Sequence, residues 1–226
     1  MLTLFTIVPY SLAEGLKDTG AIDTDNANNS AAINSGTIGE RVVSLGVNTS
    51  TVSVNGGGTV RIKIDRNKPP NITISGDDKL LKAVSIEQDK LAVRINSKKY
   101  KTALPLVIDV MIPNLSALSL ANSGTVYIDN LNTRIFYMSA ISTGDILINS
   151  GQTDKIYLSV TGAGEINASN FTAKSCKVSI SGEENITLWC SEQISGVVKG
   201  KGNIKIFGNP AKRALKTNGT GTEIYY

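Results

Sequence analysis

The chain has 226 residues, 21 of them glycine, with 5% aromatics and a net charge of +4. That length accommodates one large domain or two small ones, and so mild a charge does not call for nucleic acid. Histidine is absent, which removes the commonest general base, the commonest metal ligand and every Ser-His or Cys-His nucleophile. Two cysteines without other soft ligands make no structural zinc site. No catalytic residue, metal or cofactor is expected.

The chain opens with MLTLFTIVPYSLA, an apolar run over 2–13 that ends in small residues at Ser11 and Ala13. This matches the length and cleavage pattern of an export signal and is too short to span a bilayer. No Lys or Arg precedes the run, which suits a start lying further upstream. The other reading is a buried strand. No later stretch is apolar enough for a transmembrane segment. Residues 14–40 are small, polar and aperiodic, the composition of a flexible linker.

From Arg41 the pattern becomes alternation. VVSLG, TVSV, TVRIKID, NITIS, KLAVRIN and LPLVIDVMIP are short runs rich in Val and Ile, bounded by Gly, Asn-Lys-Pro-Pro and Gly-Asp-Asp turns. They read as antiparallel or mixed β-strands over 41–114. Only KLLKAVSIEQ, residues 79–88, leaves room for a helical turn.

Residues 115–226 carry an internal repeat. Leu118, Met138, Leu158 and Val178 are spaced by 20, as are Leu120, Ala140, Val160 and Ile180. Val126, Ile146, Ile166 and Ile186 keep the same step, followed by Ile128, Ile148, Ala168 and Leu188. Ser119, Ser139, Ser159 and Ser179 run between them. A shortened fifth unit holds Val198, Ile204 and Ile206, and a ragged sixth ends at Tyr226. Each unit reads as two short strands around a glycine turn. An isolated pair is marginal in water, whereas stacking like units at ~4.8 Å joins the apolar columns into one core. The expectation is an all-β, right-handed β-solenoid with coils of about 20 residues.

The turn glycines are Gly124, Gly144, Gly162 with Gly164, Gly182, Gly200 with Gly202, and Gly219 with Gly221. SVTGAGEIN, around Gly162, has the look of a phosphate cradle. However, a second β-run follows it where a phosphate loop needs a helix N-terminus, and Asn167 stands where a third glycine belongs. Positive φ in a tight turn explains the glycines better.

Cys176 and Cys190 mirror each other about the Gly182 turn, so both thiols point inward. A disulfide closing this loop and two buried free thiols both fit, because opposed sheets lie ~10 Å apart. Tyr137, Tyr157 and Lys177 share one outward column, and Tyr127 and Trp189 also face out by alternation. Tyr137, Tyr157, Lys177 and Trp189 are grouped as the candidate binding face, suited to a glycan or protein partner, although packing on neighbouring coils would also account for the rings. Eight basic residues against three acidic ones between Lys174 and Lys216 fit an anionic surface, or simply protect strand edges. The acid pairs Asp77–Asp78 and Glu183–Glu184 fall in turns with no acid opposite at glycosidase distance.

NITISGDDKLLKAVSIEQDKLAVRI, PLVIDVMIPNLSALSLANSGTVYI and the closing FGNPAKRALKTNGTGTEI together resemble the bacterial head GIN domain family, a group named for autotransporter adhesins. The resemblance spans roughly 38–226. It implies an all-β, solenoid-like domain, exported to the periplasm, outer membrane or cell exterior, with no catalytic residues to carry over. Glu183-Glu184 after Gly182, and the two cysteines, depart from the family pattern. The expected function is a non-enzymatic binding or structural module, adhesin-like in the cell envelope. The alternatives are a polysaccharide-active β-helix enzyme and a purely structural envelope protein.

Overall fold

The computed structural model describes residues 36–97, 104–122, 124–142 and 144–226. The export signal read at 1–13 and the linker as far as residue 35 lie outside the described residues. The first half contains β1 (Ile38–Ser44), β2 (Thr51–Gly56), β3 (Thr59–Ile64), β4 (Asn71–Asp77), α1 (Asp78–Leu81), β5 (Ser85–Gln88), β6 (Ala92–Asn96) and β7 (Val107–Ile112). Ile38, Gly39 and Glu40, at the end of the stretch read as linker, already belong to β1, where ladder bonds to β4 order them. The expected helical turn is a single one. The Asp77 carboxylate accepts a hydrogen bond from the Lys79 N–H at 3.0 Å, capping α1, and the chain returns to strand at Ser85.

The second half contains β8 (Ala117–Asn122), β9 (Val126–Asp129), β10 (Leu131–Ser142), β11 (Ile146–Ile148), β12 (Gly151–Gly162), β13 (Glu165–Gly182), β14 (Asn185–Gly200), β15 (Ile204–Phe207), β16 (Lys212–Gly219) and β17 (Glu223–Tyr225). All their mutual pairings are parallel, and residues 20 apart lie side by side, as with Met138 beside Leu158 and Ile146 beside Ile166. The apolar columns of the repeat are buried throughout. The chain is therefore nearly all β, with a β-solenoid in its latter part.

Each coil has three legs, where two strands were expected. Ile166, Ala168, Phe171, Ala173, Cys176, Val178 and Ile180 are all buried. They fall two residues apart within a leg but three apart at Ala168/Phe171 and at Ala173/Cys176. A strand exposes alternate sides to one face, so each three-residue step is a corner. In the preceding coil the second corner is held by the buried Thr153, whose hydroxyl donates to the Arg134 and Lys155 carbonyls at 3.2 and 3.1 Å.

The first half joins the same stack. β2 pairs in parallel with β8 and with β6, while β3 pairs in parallel with β9 and with β7. The β2–β3 bend thus forms one more coil below the repeat, and β6 with β7 another below that. Antiparallel strands close this end: β4 on β7, β1 on β4, and β5 on β6. The leading section is mixed.

Close approach between coils explains most of the turn glycines. Among the nine named above, only Gly162, Gly164 and Gly200 have positive φ. A Cβ on Gly124 would sit 1.9 Å from the Gly58 carbonyl oxygen, and one on Gly144 would sit 2.1 Å from that of Gly124. Gly202 and Gly221 repeat the pattern at 1.8 and 1.9 Å from the Glu184 and Gly202 oxygens. At these glycines each bend nests against the previous one so tightly that a Cβ would clash with backbone, which corrects the positive-φ reading for Gly124, Gly144, Gly182, Gly202, Gly219 and Gly221.

Candidate functional site

With the interior filled by apolar columns, binding chemistry belongs to the outward positions of the three legs. On the first leg, Tyr137 lies beside Tyr157 and Tyr157 beside Lys177 in the parallel register. The two tyrosine rings stack at 4.9 Å and 11°. That stacking covers one face of each ring. Tyr137 is 45% exposed, and Ile141, further along its strand, is 68% exposed. The Ser119, Ser139, Ser159 and Ser179 column runs beside them in register.

Trp189 does not join this group. It follows the Gly182 bend at the corner that ends the second leg, in register with Thr172 of the coil before it and with Phe207 of the coil after it, and stacks on the Phe207 ring at 6.1 Å. Phe207 in turn stacks on Tyr226 at 4.8 Å. Alternation identifies Trp189 as outward but not which leg carries it. Phe207 and Tyr226 were not singled out from the sequence, although Phe207 follows Trp189 by 18 residues and Tyr226 follows Phe207 by 19, the step of the shortened units. Gly208 leaves room for the indole, since a Cβ there would meet its ring nitrogen at 2.7 Å.

Cys176 and Cys190 form a disulfide with their Cα atoms 6.1 Å apart. The third leg resolves the distance problem. Cys190 stands beside Ala173 at the start of that leg, past a corner, so it approaches Cys176 from an adjoining side and not across the coil.

The third leg carries a feature that the sequence reading missed, a groove of about 490 Å³. Its floor is a row of neutral hydrogen-bonding side chains, Asn132, Gln152 and Thr172, in successive coils. Arg66, from the turn between β3 and β4, reaches its edge. No periodic signal links residue 66 to residue 132, because they meet only through the stacking of the two halves. Arg134 and the Lys174–Asp154 ion pair, 2.8 Å long, also line it. The hydrogen bond and charge of Lys174 hold the Asp154 carboxyl below its usual range.

The acid pairs are dispersed. Asp77 caps α1, and Asp78 faces Lys82 at 3.9 Å. Glu183 pairs with Lys201 at 3.0 Å. Glu184 is only 3% exposed, and neither carboxylate oxygen has a hydrogen-bond partner; burial pushes its carboxyl above the usual range. Among the described residues, no three His, Cys, Asp or Glu side chains gather in a way that could hold a metal ion. No helix among them is long and apolar enough to cross a membrane.

The chain matches the family model described as "Putative auto-transporter adhesin, head GIN domain" over residues 48–149 and 121–210. No curated protein matches it. Among solved structures, it is similar to a putative adhesin from Bacteroides fragilis NCTC 9343, with 21% identity and a TM-score of 0.68 over 85% of this chain and 98% of that one. A putative adhesin from Parabacteroides distasonis ATCC 8503 shares 18% identity with a TM-score of 0.48, over 85% and 98% of the two chains. The first similarity shows a common fold, and the second adds no argument.

Proposed function

The chain belongs to the head GIN domain family, and from that premise we propose that it is an exported, non-enzymatic, adhesin-like module that binds a protein partner at the cell surface. The observation that carries this reading is the outward column of Tyr137, Tyr157 and Lys177, with Ile141 exposed further along the same strand beyond the serine column. Large apolar side chains are rarely gathered on a polar surface without a partner. Because the two rings already cover one face of each other, the column offers edges, hydroxyls and an aliphatic side chain, which favours a protein surface over a stacked sugar. Trp189, Phe207 and Tyr226 give a second aromatic patch on another leg.

The Cys176–Cys190 bridge supports export, since disulfides persist in oxidising compartments. The dispersed acids support a non-enzymatic role. A glycosidase needs two carboxylates flanking one bond, and the lining of the third-leg groove includes one, engaged by Lys174.

The test is binding of the purified chain to immobilised fibronectin, collagen, laminin and mucin, before and after Tyr137→Ala with Tyr157→Ala. The expected outcome is binding to at least one of them, weakened about ten-fold by the double substitution, which corresponds to roughly 1.4 kcal/mol. Binding that is unchanged, or absent from all four, rules out this face.

A further inference from the structure

The third-leg groove lies on a different side of the coil from the tyrosine column, and its chemistry differs. Its floor presents two amides and a hydroxyl from Asn132, Gln152 and Thr172, one from each of three coils. At ~4.8 Å per coil the row is about 10 Å long. Amide and hydroxyl groups donate and accept, so such a row can match the hydroxyls of a chain of sugar rings.

The charge is one-sided. Arg66, Arg134 and Lys174 face the groove with Asp154 as the one acid in its lining, and Lys174 is already committed to Asp154. Neither Arg66 nor Arg134 takes part in a salt bridge among the described residues. Arg66 is set on a turn ordered by the Asp65 carboxylate, which accepts from the Asn67 N–H at 2.9 Å, and by the Asp65 N–H donating to the Ile112 carbonyl at 3.0 Å. A guanidinium held at a groove edge suits a planar anion, which it can bind through two parallel hydrogen bonds. The lining includes no aromatic side chain; Trp189, in register beside Thr172, adds a single ring past its end, short of the successive stacking platforms that single-stranded nucleic acid uses. It also offers no apolar pocket for a peptide side chain or an acyl chain.

We infer that this groove binds an acidic glycan, with ring hydroxyls on the Asn132–Gln152–Thr172 row and carboxylates or sulfates on Arg66 and Arg134. The inference is independent of the tyrosine column, so each can fail alone.

The experiment measures binding of the full chain to polygalacturonate, to heparin and to neutral dextran by calorimetry. Polygalacturonate supplies carboxylates and heparin mainly sulfates, so the stronger binder identifies the anion. Arg66→Gln with Arg134→Gln should weaken the better of the two by at least about ten-fold. Gln152→Ala, which changes no charge, should weaken it about three-fold by removing one hydrogen bond. Lys212→Gln with Lys216→Gln removes the same charge from an exposed strand elsewhere and should change binding by less than about two-fold. Tyr137→Ala should leave it unaltered. Equal loss from the arginine and lysine pairs would mean general attraction to a basic protein and would overturn the inference. So would binding of neither polyanion, or of dextran as tightly as either. Arg66→Lys with Arg134→Lys gives a second reading: it keeps the charge but loses the paired hydrogen bonds, and should still weaken binding.

Discussion

The two halves of the molecule use the same parallel register to opposite ends. Between Ala117 and Tyr225, each coil rests on the coil before it in sequence, so every contact repeats after 17 to 20 residues. Between Ile38 and Ile112, the order is broken. The β2–β3 coil sits between the β6–β7 coil and the first coil of the repeat, and antiparallel β4, β1 and β5 lie beyond. A stack of like coils propagates easily but leaves an open strand edge at its end, and an open edge invites pairing with other chains. The irregular half ends the stack with strands of another direction. Its value lies in being unlike the repeat.

If that contrast holds, damage within the repeat should spread by coils, while the capping section responds as one unit. The largest effect is expected at Phe136, fully buried and edge-on to Phe171 at 6.3 Å. Phe136→Ala removes a large side chain where a rigid stack cannot collapse, and should cost about 4 kcal/mol in urea unfolding. Hydrogen exchange should quicken first in 131–182 and less in 51–96. Uniform acceleration across both halves would show that they unfold as one unit.

The disulfide gives a sharper test because it lies wholly inside the repeat. Cys176→Ala with Cys190→Ala opens a loop of sequence separation 14 and should lower stability by about 3 kcal/mol. The loss should again centre on the later coils. Mass spectrometry of the purified protein, with and without reductant, reads the bridge directly. A thiol-free variant as stable as the parent would show that the bridge adds nothing to stability.

This difference between the halves also governed what could be read in the sequence. In the repeat, alternation reports burial directly, so Leu118, Met138, Leu158 and Val178 stood out as a column and are all buried. The third leg was hidden because its inward residues vary in kind, with Leu131, Gly151 and Phe171 in one column. The stacking of Val52 beside Leu118 had no signal, since coils out of sequence order leave no period. The outward column of Tyr137, Tyr157 and Lys177 was legible for the same reason as the inner ones. Trp189 was grouped with it because alternation separates inside from outside and says nothing about which side of a three-legged coil is meant. The groove was out of reach, since Arg66 comes from the half without periodicity.

The smallest effect, and of opposite sign, is expected at Glu184, where the repeat departs from its own rule. Gly58, Gly124, Gly144 and Gly164 form one column of nested bends, and Gly202 with Gly221 continues it; Glu184 fills the place between. Its carboxylate is buried without a hydrogen-bond partner, so burial favours the protonated form and raises its proton affinity in the folded state. A carboxyl that holds its proton more tightly when folded destabilises the fold once the pH rises through its unfolded value of about 4.3, and this cost grows until the folded value is passed. Glu184→Gln should therefore stabilise the protein at pH 7 by roughly 1 kcal/mol, through loss of the buried charge. The gain should shrink as the pH is lowered and vanish below about pH 4, where the glutamate is neutral in both states. Paired urea titrations at pH 7 and pH 4 measure it. A gain that is equal at both values would assign the effect to side-chain packing in the bend and not to charge.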